Sequence, residues 1–380
     1  MKKVILTAGI IGIILFSAAF LFIPKEKKDE IKLKHEDKGR EIEEIPNPVI
    51  YKQFDEVING NIQRINMLEV NVQDSRIKLL PVLSQDSIFG FETTSSMAAR
   101  KEAVAAINGG FFYPYGQPSG LVVIDGKLLS TARDSSARPA FVVNGNREFH
   151  ISNVSVQVIV KIENISFYID GINREPGNDE IIVFTPDYGL TTRINGRTSL
   201  NVVAEDNVVS HIVSSDEEVS IPRAGIVIVA TGERISALKE WSGYMGKEVN
   251  IYYTTIPSFN GVSQAMEGGF WVVKDGRVVI KEREVWVGLT TNREPRSVIG
   301  INEEGKAILL TVDGRQPGYS IGLTGDELAR YLLSLGINNA IMLDGGASTT
   351  MVWDGRIVNR PSYRGIERMV GGAIVVQFDK

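Results

Sequence analysis

The chain has 380 residues, a net charge of −5, 43% apolar and 23% charged residues, no cysteine and three histidines. That composition is ordinary for a folded domain, and the length after an atypical N-terminus suits one large domain. The missing cysteines exclude disulfides, thiolate metal sites and a cysteine nucleophile. The acidic balance, with no basic stripe interleaved with aromatics, gives no reason to expect nucleic acid.

Met1-Lys2-Lys3 precedes an uncharged run from Val4 to Ile23. At 1.5 Å per residue this run spans about 30 Å, the thickness of a bilayer core. Two readings fit: an uncleaved membrane anchor over residues 1–24, or a cleaved signal peptide. The anchor is favoured, because Ala18-Ala19-Phe20 makes a poor cleavage site. Either reading puts the following domain outside the cytoplasm. Residues 25–50 carry charges of both signs and read as a linker that ends at Pro46 and Pro48. The globular part is expected over residues 51–380.

Alternation of apolar and polar residues predicts strands over Ile62–Val72 and Ile77–Val82. Thr93 or Thr94 caps a predicted helix from Ser95 to Glu102. Ala103 to Ile107 reads as a short buried strand that ends in Asn108-Gly109-Gly110. A Gly-poor, strand-rich middle runs from Ala140 to Glu233 and carries no chemical motif. A short helix is predicted over Ser236–Tyr244 and a strand over Asn250–Thr255. A second strand delivers Glu267 to Gly268-Gly269. Ala307 to Val312 is a strong buried strand ending in Asp313-Gly314-Arg315. A Gly-rich loop then leads to the clearest helix signal. Thr324 and Glu327 form a capping box, Leu328, Tyr331, Leu332 and Leu335 form the apolar face, and Gly336 stops the helix. The next strand delivers Asp344 to Gly345-Gly346, followed by Ser348, Thr349 and Thr350.

A polar residue before Gly-Gly, a strand, and then Asp-Gly thus recurs three times, led by Asn108, Glu267 and Asp344. Gly-Gly and Asp-Gly are common hairpin turns, so each copy alone reads as an ordinary turn. If the strands are neighbours in a sheet, the three ends converge on a cleft with two carboxylates, an amide and exposed backbone N–H groups. The Gly-rich loop before the capping-box helix, with Arg315, suits an anion such as phosphate. Arg296, Arg364 and Arg368 have similar polar, Gly-containing surroundings, although singly each arginine reads as a surface ion pair.

Taken together, Ile107–Phe112 (INGGFF), Thr311–Arg315 (TVDGR), Thr324–Gly336 (TGDELARYLLSLG), Leu343–Met351 (LDGGASTTM) and Glu367–Val376 (ERMVGGAIVV) resemble the phosphodiester glycosidase family. The resemblance covers roughly Arg64 to Phe378. It departs from the family pattern at Ala347, where a third glycine is usual, and at Glu267. The resemblance implies cleavage of the sugar C1–O bond in a sugar-1-phosphodiester. Asp344 is then the first choice of catalytic carboxylate, with Asp313 and Glu267 as alternatives. Arg296 and Arg315 would hold the phosphate. Asn108, Gly109, Gly110, Gly345, Gly346, Ser348, Thr349 and Arg368 complete the expected substrate site. No cofactor is required, although Asp313, Asp344 and Glu267 offer oxygen donors that suit Ca²⁺ or Mg²⁺. A divalent-metal phosphodiesterase and a non-catalytic binder of wall polysaccharide are the rival readings. The expected fold is α+β: a twisted, mixed and largely antiparallel sheet arrangement with a few covering helices. A carbohydrate phosphodiester and a membrane are the expected partners, with the oligomeric state open.

Overall fold

The computed structural model describes residues 47–133 and 137–379. The expected membrane or signal segment and nearly all of the charged linker lie outside the described residues. Among the described residues no helix is long and apolar enough to cross a membrane.

The molecule is built mostly from antiparallel sheets with few helices. One seven-stranded sheet has the order Val49–Ile58, Asn61–Val70, Ala307–Val312, Arg296–Asn302, Ile337–Met342, Trp271–Lys274, Arg277–Val278. A five-stranded sheet runs Arg356–Ile357, Met351–Trp353, Ala105–Asn108, Gly372–Phe378, Ile77–Leu83. Their inner faces share one apolar core that includes Leu68, Ile107, Ile299, Leu309, Ile341 and Ile374, each fully buried. The strand-rich middle of the chain forms two further sheets. One has Phe149–Ile162 and Arg138–Asn144 at its centre, and the other has Gly225–Thr231 and Ser199–Glu205. The pairing of Gly171–Ile172 with Ile181–Phe184 is parallel, which makes the arrangement mixed as expected.

The helices are short and local. Thr93 caps Thr94–Arg100 by accepting from the Ser96 amide at 3.2 Å. The capping box is formed as predicted: Thr324 accepts from the Glu327 amide at 3.2 Å, and Glu327 accepts from the Thr324 amide at 3.0 Å. That helix, Gly325–Ser334, lays Leu328, Ala329 and Leu332 on the outer face of the seven-stranded sheet. The predicted helix near Ser236 is split into Arg234–Lys239 and a 3₁₀ turn, Glu240–Tyr244.

Strand polarity fixes where the polar ends gather. In the seven-stranded sheet Arg296 lies opposite Val312 and Val298 opposite Met342. Antiparallel pairing therefore puts the start of one strand and the ends of its two neighbours at the same end of the sheet. Arg296, Asp313 and Asp344 are delivered there. In the five-stranded sheet Asn108 lies opposite Ala373, so the last residue of one strand meets the first turn of the next.

Candidate active site

The three Gly-Gly turns do converge, and they are packed against each other through backbone. The Asp344 amide donates to the Gly109 carbonyl at 3.1 Å, and the Gly269 amide to the Met342 carbonyl at 2.8 Å. A Cβ on Gly110 would lie 2.3 Å from the Glu267 carbonyl oxygen, so only glycine permits that approach. The close approach that glycine allows is thus filled mostly by protein. Of the three turn-leading residues, only Asp344 faces an open cavity.

Asn108 is fully buried, and its amide is consumed. Its Nδ2 donates to the Asp344 carbonyl at 2.5 Å and the Gly109 carbonyl at 3.4 Å. Its Oδ1 accepts from the Ser297 hydroxyl at 2.8 Å and the Thr350 amide at 3.1 Å. Two donors and two lone pairs are the whole capacity of an amide. Asn108 therefore fixes the Asp344 turn from within the protein and does not line the cavity where it was expected to meet substrate. Gly109 and Thr349 are equally internal: Gly109 pairs with Gly372, and Thr349 accepts from Ser297 at 3.2 Å. Gly110 faces a different, tight cavity beside Glu267.

Glu267 is likewise not beside Asp344 in the open cavity. It is buried, accepts from the Leu121 amide at 3.2 Å and pairs with Arg138 at 3.4 Å. Asp313 is buried too. Its carboxylate takes the Arg360 amide at 3.0 and 3.1 Å, the Asn359 amide side chain at 3.1 Å and the Tyr319 hydroxyl at 3.3 Å. Burial raises its pKa against these hydrogen bonds. Asp313 pins the chain after Val358 and does not reach the cavity. Neither alternative to Asp344 lines the cavity in front of it. Among the described residues no three His, Asp or Glu side chains come together as a metal cage.

The cavity in front of Asp344 has a volume of about 380 Å³, within the usual range for small-molecule clefts. One wall is aromatic and apolar: Phe111, Phe112 and Trp286, with Val287 and Leu289. Phe111 and Trp286 stack with centroids 5.3 Å apart, leaving Trp286 partly exposed. The other wall is charged, with Arg296, Arg315, Arg368 and Glu294. Gly345 and Gly346 line it as predicted, joined by Ala347 and Asn292.

Asp344 is tuned by opposing causes. Burial raises its pKa; a hydrogen bond from Ser348, the positive charge of Arg368 and the Gly345 amide lower it, and the net shift is upward. Ser348 is buried behind the carboxylate and also accepts from Arg368 Nη1 at 3.1 Å, tying that arginine to the acid. Ser348 thus acts on Asp344 and is not a cavity-lining residue. Arg296 is buried, with its guanidinium held by the carbonyls of Leu323 at 3.0 Å, Asn292 at 2.8 Å and Thr290 at 3.4 Å. Burial brings its pKa down to about 10, so it stays charged at neutral pH. Arg315 is exposed, with its Nε donating to Glu294. Arg364 stacks on Tyr363 away from the cavity.

No residue of the Gly-rich loop after Arg315 lines the cavity. Three of the amides there already have acceptors: Gly322 donates to Gln63 Oε1, Leu323 to the Glu294 carbonyl and Gly325 to the Thr290 carbonyl. Sequence reasoning missed Glu294, Asn292, Phe111, Phe112 and Trp286 as cavity residues. Phe111 and Phe112 directly follow the first Gly-Gly turn, so that turn was a usable signal. Glu294 and Trp286 lie in no repeated motif.

Residues 189–377 match the family model described as phosphodiester glycosidase. The SPbeta prophage-derived uncharacterized protein YomE of Bacillus subtilis is 33% identical over 36% of this chain and 23% of its own length. The N-acetylglucosamine-1-phosphodiester alpha-N-acetylglucosaminidase of Bos taurus is 30% identical over 32% of this chain and 24% of its own. The matches thus span about a quarter of these curated relatives. Among solved structures, a hypothetical protein from Synechocystis aligns with a TM-score of 0.75 at 23% identity, covering 87% of this chain and 62% of that one. The zebrafish N-acetylglucosamine-1-phosphodiester alpha-N-acetylglucosaminidase catalytic domain aligns with a TM-score of 0.50 at 16% identity, over 88% and 85%. These two show a shared fold across nearly the whole described chain.

Proposed function

We propose, for a chain that belongs to the phosphodiester glycosidase family over residues 189–377, hydrolysis of the sugar C1–O bond of a sugar-1-phosphodiester. The observation that carries this reading is the cavity in which Asp344 faces three arginines on one side and an aromatic wall on the other. Sugar C–H faces stack on aromatic rings, and guanidinium groups match phosphate oxygens.

In this reading Phe111, Phe112 and Trp286 hold the sugar, and Arg315 with Arg296 holds the phosphate. Asp344 takes a proton from the attacking water as the water oxygen bonds to C1. The C1–O bond breaks with its electron pair leaving on the phosphate oxygen. Because phosphate leaves readily, strong acid assistance is less needed than for an ordinary glycoside. The products are the free sugar and a phosphomonoester. Arg368, hydrogen-bonded to Ser348 and charged beside Asp344, favours the ionised form that accepts the proton.

The arginines supply positive charge that a divalent metal supplies elsewhere, so we take the reaction to proceed without Ca²⁺ or Mg²⁺. Chelator treatment is then expected to leave the rate unchanged. The apolar run at Val4–Ile23 supports an extracytoplasmic enzyme, secreted or membrane-anchored, and a surface glycan or polymer as substrate. The deciding experiment incubates the protein with sugar-1-phosphodiesters in ¹⁸O-labelled water. Label on the sugar C1 oxygen is expected. Label on the phosphate would instead mean P–O cleavage, the phosphodiesterase reading.

A further inference from the structure

One carboxylate in the cavity has no part in the reaction as written. Glu294 lines the same cavity as Asp344, and its Oε2 accepts from Arg315 Nε. The pair is fixed from behind. Glu294 and Leu323 exchange amide-to-carbonyl hydrogen bonds at 3.3 and 3.2 Å. A Cβ on Gly322 would lie 2.4 Å from the Glu294 carbonyl oxygen, and one on Gly314 would lie 2.9 Å from its carbonyl carbon. Arg315 follows Gly314 with φ +60°. The segment that carries the acid and the loop that carries the arginine are thus clamped together, and the ion pair is a built part of the wall.

The charges in that wall are unequal. With both carboxylates ionised, Arg296, Arg315 and Arg368 against Asp344 and Glu294 leave one net positive charge. A phosphodiester carries one negative charge. A phosphomonoester carries nearly two above its second pKa of about 6. Arginine has five N–H donors, so a diester can use the others of Arg315 while Glu294 keeps Nε.

We propose that Glu294 is the charge filter of this cavity: it competes for Arg315 and so favours the singly charged phosphodiester over the doubly charged phosphomonoester. The proposal rests on the reading above in placing phosphate at Arg315 and Arg296. It gives the Gly-rich loop a purpose, which is to hold Arg315 against Glu294. It also gives product release a cause, since cleavage raises the charge of the bound phosphate and Glu294 then repels it.

The test is equilibrium binding of two sugar-free probes, methyl phenyl phosphate and phenyl phosphate, to the full chain by calorimetry. The probes share the aromatic ring and differ in charge, and no glycosidase turnover is needed, so failure of the reaction assignment is read separately. At pH 8 the wild type is expected to bind the diester more tightly. Glu294→Gln is expected to shift the ratio toward phenyl phosphate by about fivefold or more, the scale of one partly exposed charge. In the wild type itself the preference should shrink at pH 5, where phenyl phosphate has one charge; this arm needs no variant to fold. An unchanged ratio in Glu294→Gln, a wild-type preference for phenyl phosphate at pH 8, or binding that Arg315→Met does not weaken overturns the proposal.

Discussion

At the scale of single residues, the carboxylates separate by what their neighbours leave free. Asp344 lines the cavity, whereas Asp313 spends its acceptors on Arg360, Asn359 and Tyr319. Asp344→Asn is therefore expected to lower kcat by about 10²–10⁴, the usual loss of a general base. Its stability should move the other way. The folded pKa of Asp344 is raised, so its favourable contribution is complete below the unfolded pKa and is lost as pH rises through the folded one. At neutral pH the ionised group costs stability, and thermal melting of Asp344→Asn should match or exceed the wild type. The same shift moves the acid limb of the rate: activity should fall on acidification at a pH above the ordinary aspartate value of about 3.9. A pH–kcat/KM profile, which titrates the free protein, checks this, and a limb at or below that value contradicts Asp344 as the base. Asp313→Ala should instead take an acceptor from the buried Asn359 side chain as well as from the Arg360 amide. It is expected to cost about 1–3 kcal/mol, read as a lower urea midpoint. Asp344 was legible in the sequence because an apolar run ends in an acid directly before Gly-Gly. Glu294 was not, because its partner Arg315 is fixed by a loop whose course no local pattern encodes.

At the scale of elements, the two signals read from the sequence fared differently for a physical reason. The capping box depends only on residues three apart and is present as predicted. The anion-binding role of the preceding loop depended on its amides being free and facing the cavity; Gln63, Thr290 and Glu294 take three of them, and no loop residue after Arg315 lines the cavity. The glycines of that loop divide accordingly. Gly318 has φ +80° and open space around it, whereas Gly322, at φ +88°, lies against Glu294. Gly318→Ala should cost only the modest strain of a left-handed alanine, about 1 kcal/mol. Gly322→Ala meets backbone as well, and should lower the melting temperature and, by displacing Glu294 from Arg315, shift binding toward phenyl phosphate as Glu294→Gln does. Equal effects of the two variants would contradict the clamp. The pairing of Arg283–Glu284 with Gly288–Leu289 presents Trp286 to the cavity by a route that no alternation of residues revealed. Trp286→Ala should raise KM about tenfold with little change in kcat, as expected when stacking is lost equally from substrate and transition state. A loss confined to kcat would place Trp286 in the chemistry instead.

At the scale of the whole molecule, the cavity belongs to chain segments far apart in sequence. The family match begins at residue 189, yet Phe111 and Phe112 of the cavity wall precede it. More is missing from that part than two side chains. Ala307–Val312 is paired along its length by Asn61–Val70, from Ile65 opposite Val312 to Val70 opposite Ala307. Ala105–Asn108 lies between Met351–Trp353 and Gly372–Phe378 at the centre of its sheet. Alternation and short apolar runs in the sequence located these strands, but they carry no information about partners some two hundred residues away. A fragment starting at residue 189 would expose a row of unpaired backbone groups along a strand apolar on both faces, and would split the second sheet. It would also lose Asn108, whose side chain holds the Asp344 carbonyl and accepts from Ser297. Such a fragment is expected to show no cooperative thermal transition and no turnover, whereas the chain from residue 47 onward should show both. A cooperative melt in the shorter fragment would mean that the strands before residue 189 are ornaments on a self-sufficient core, and the placement of Asp344 would then need a cause other than Asn108.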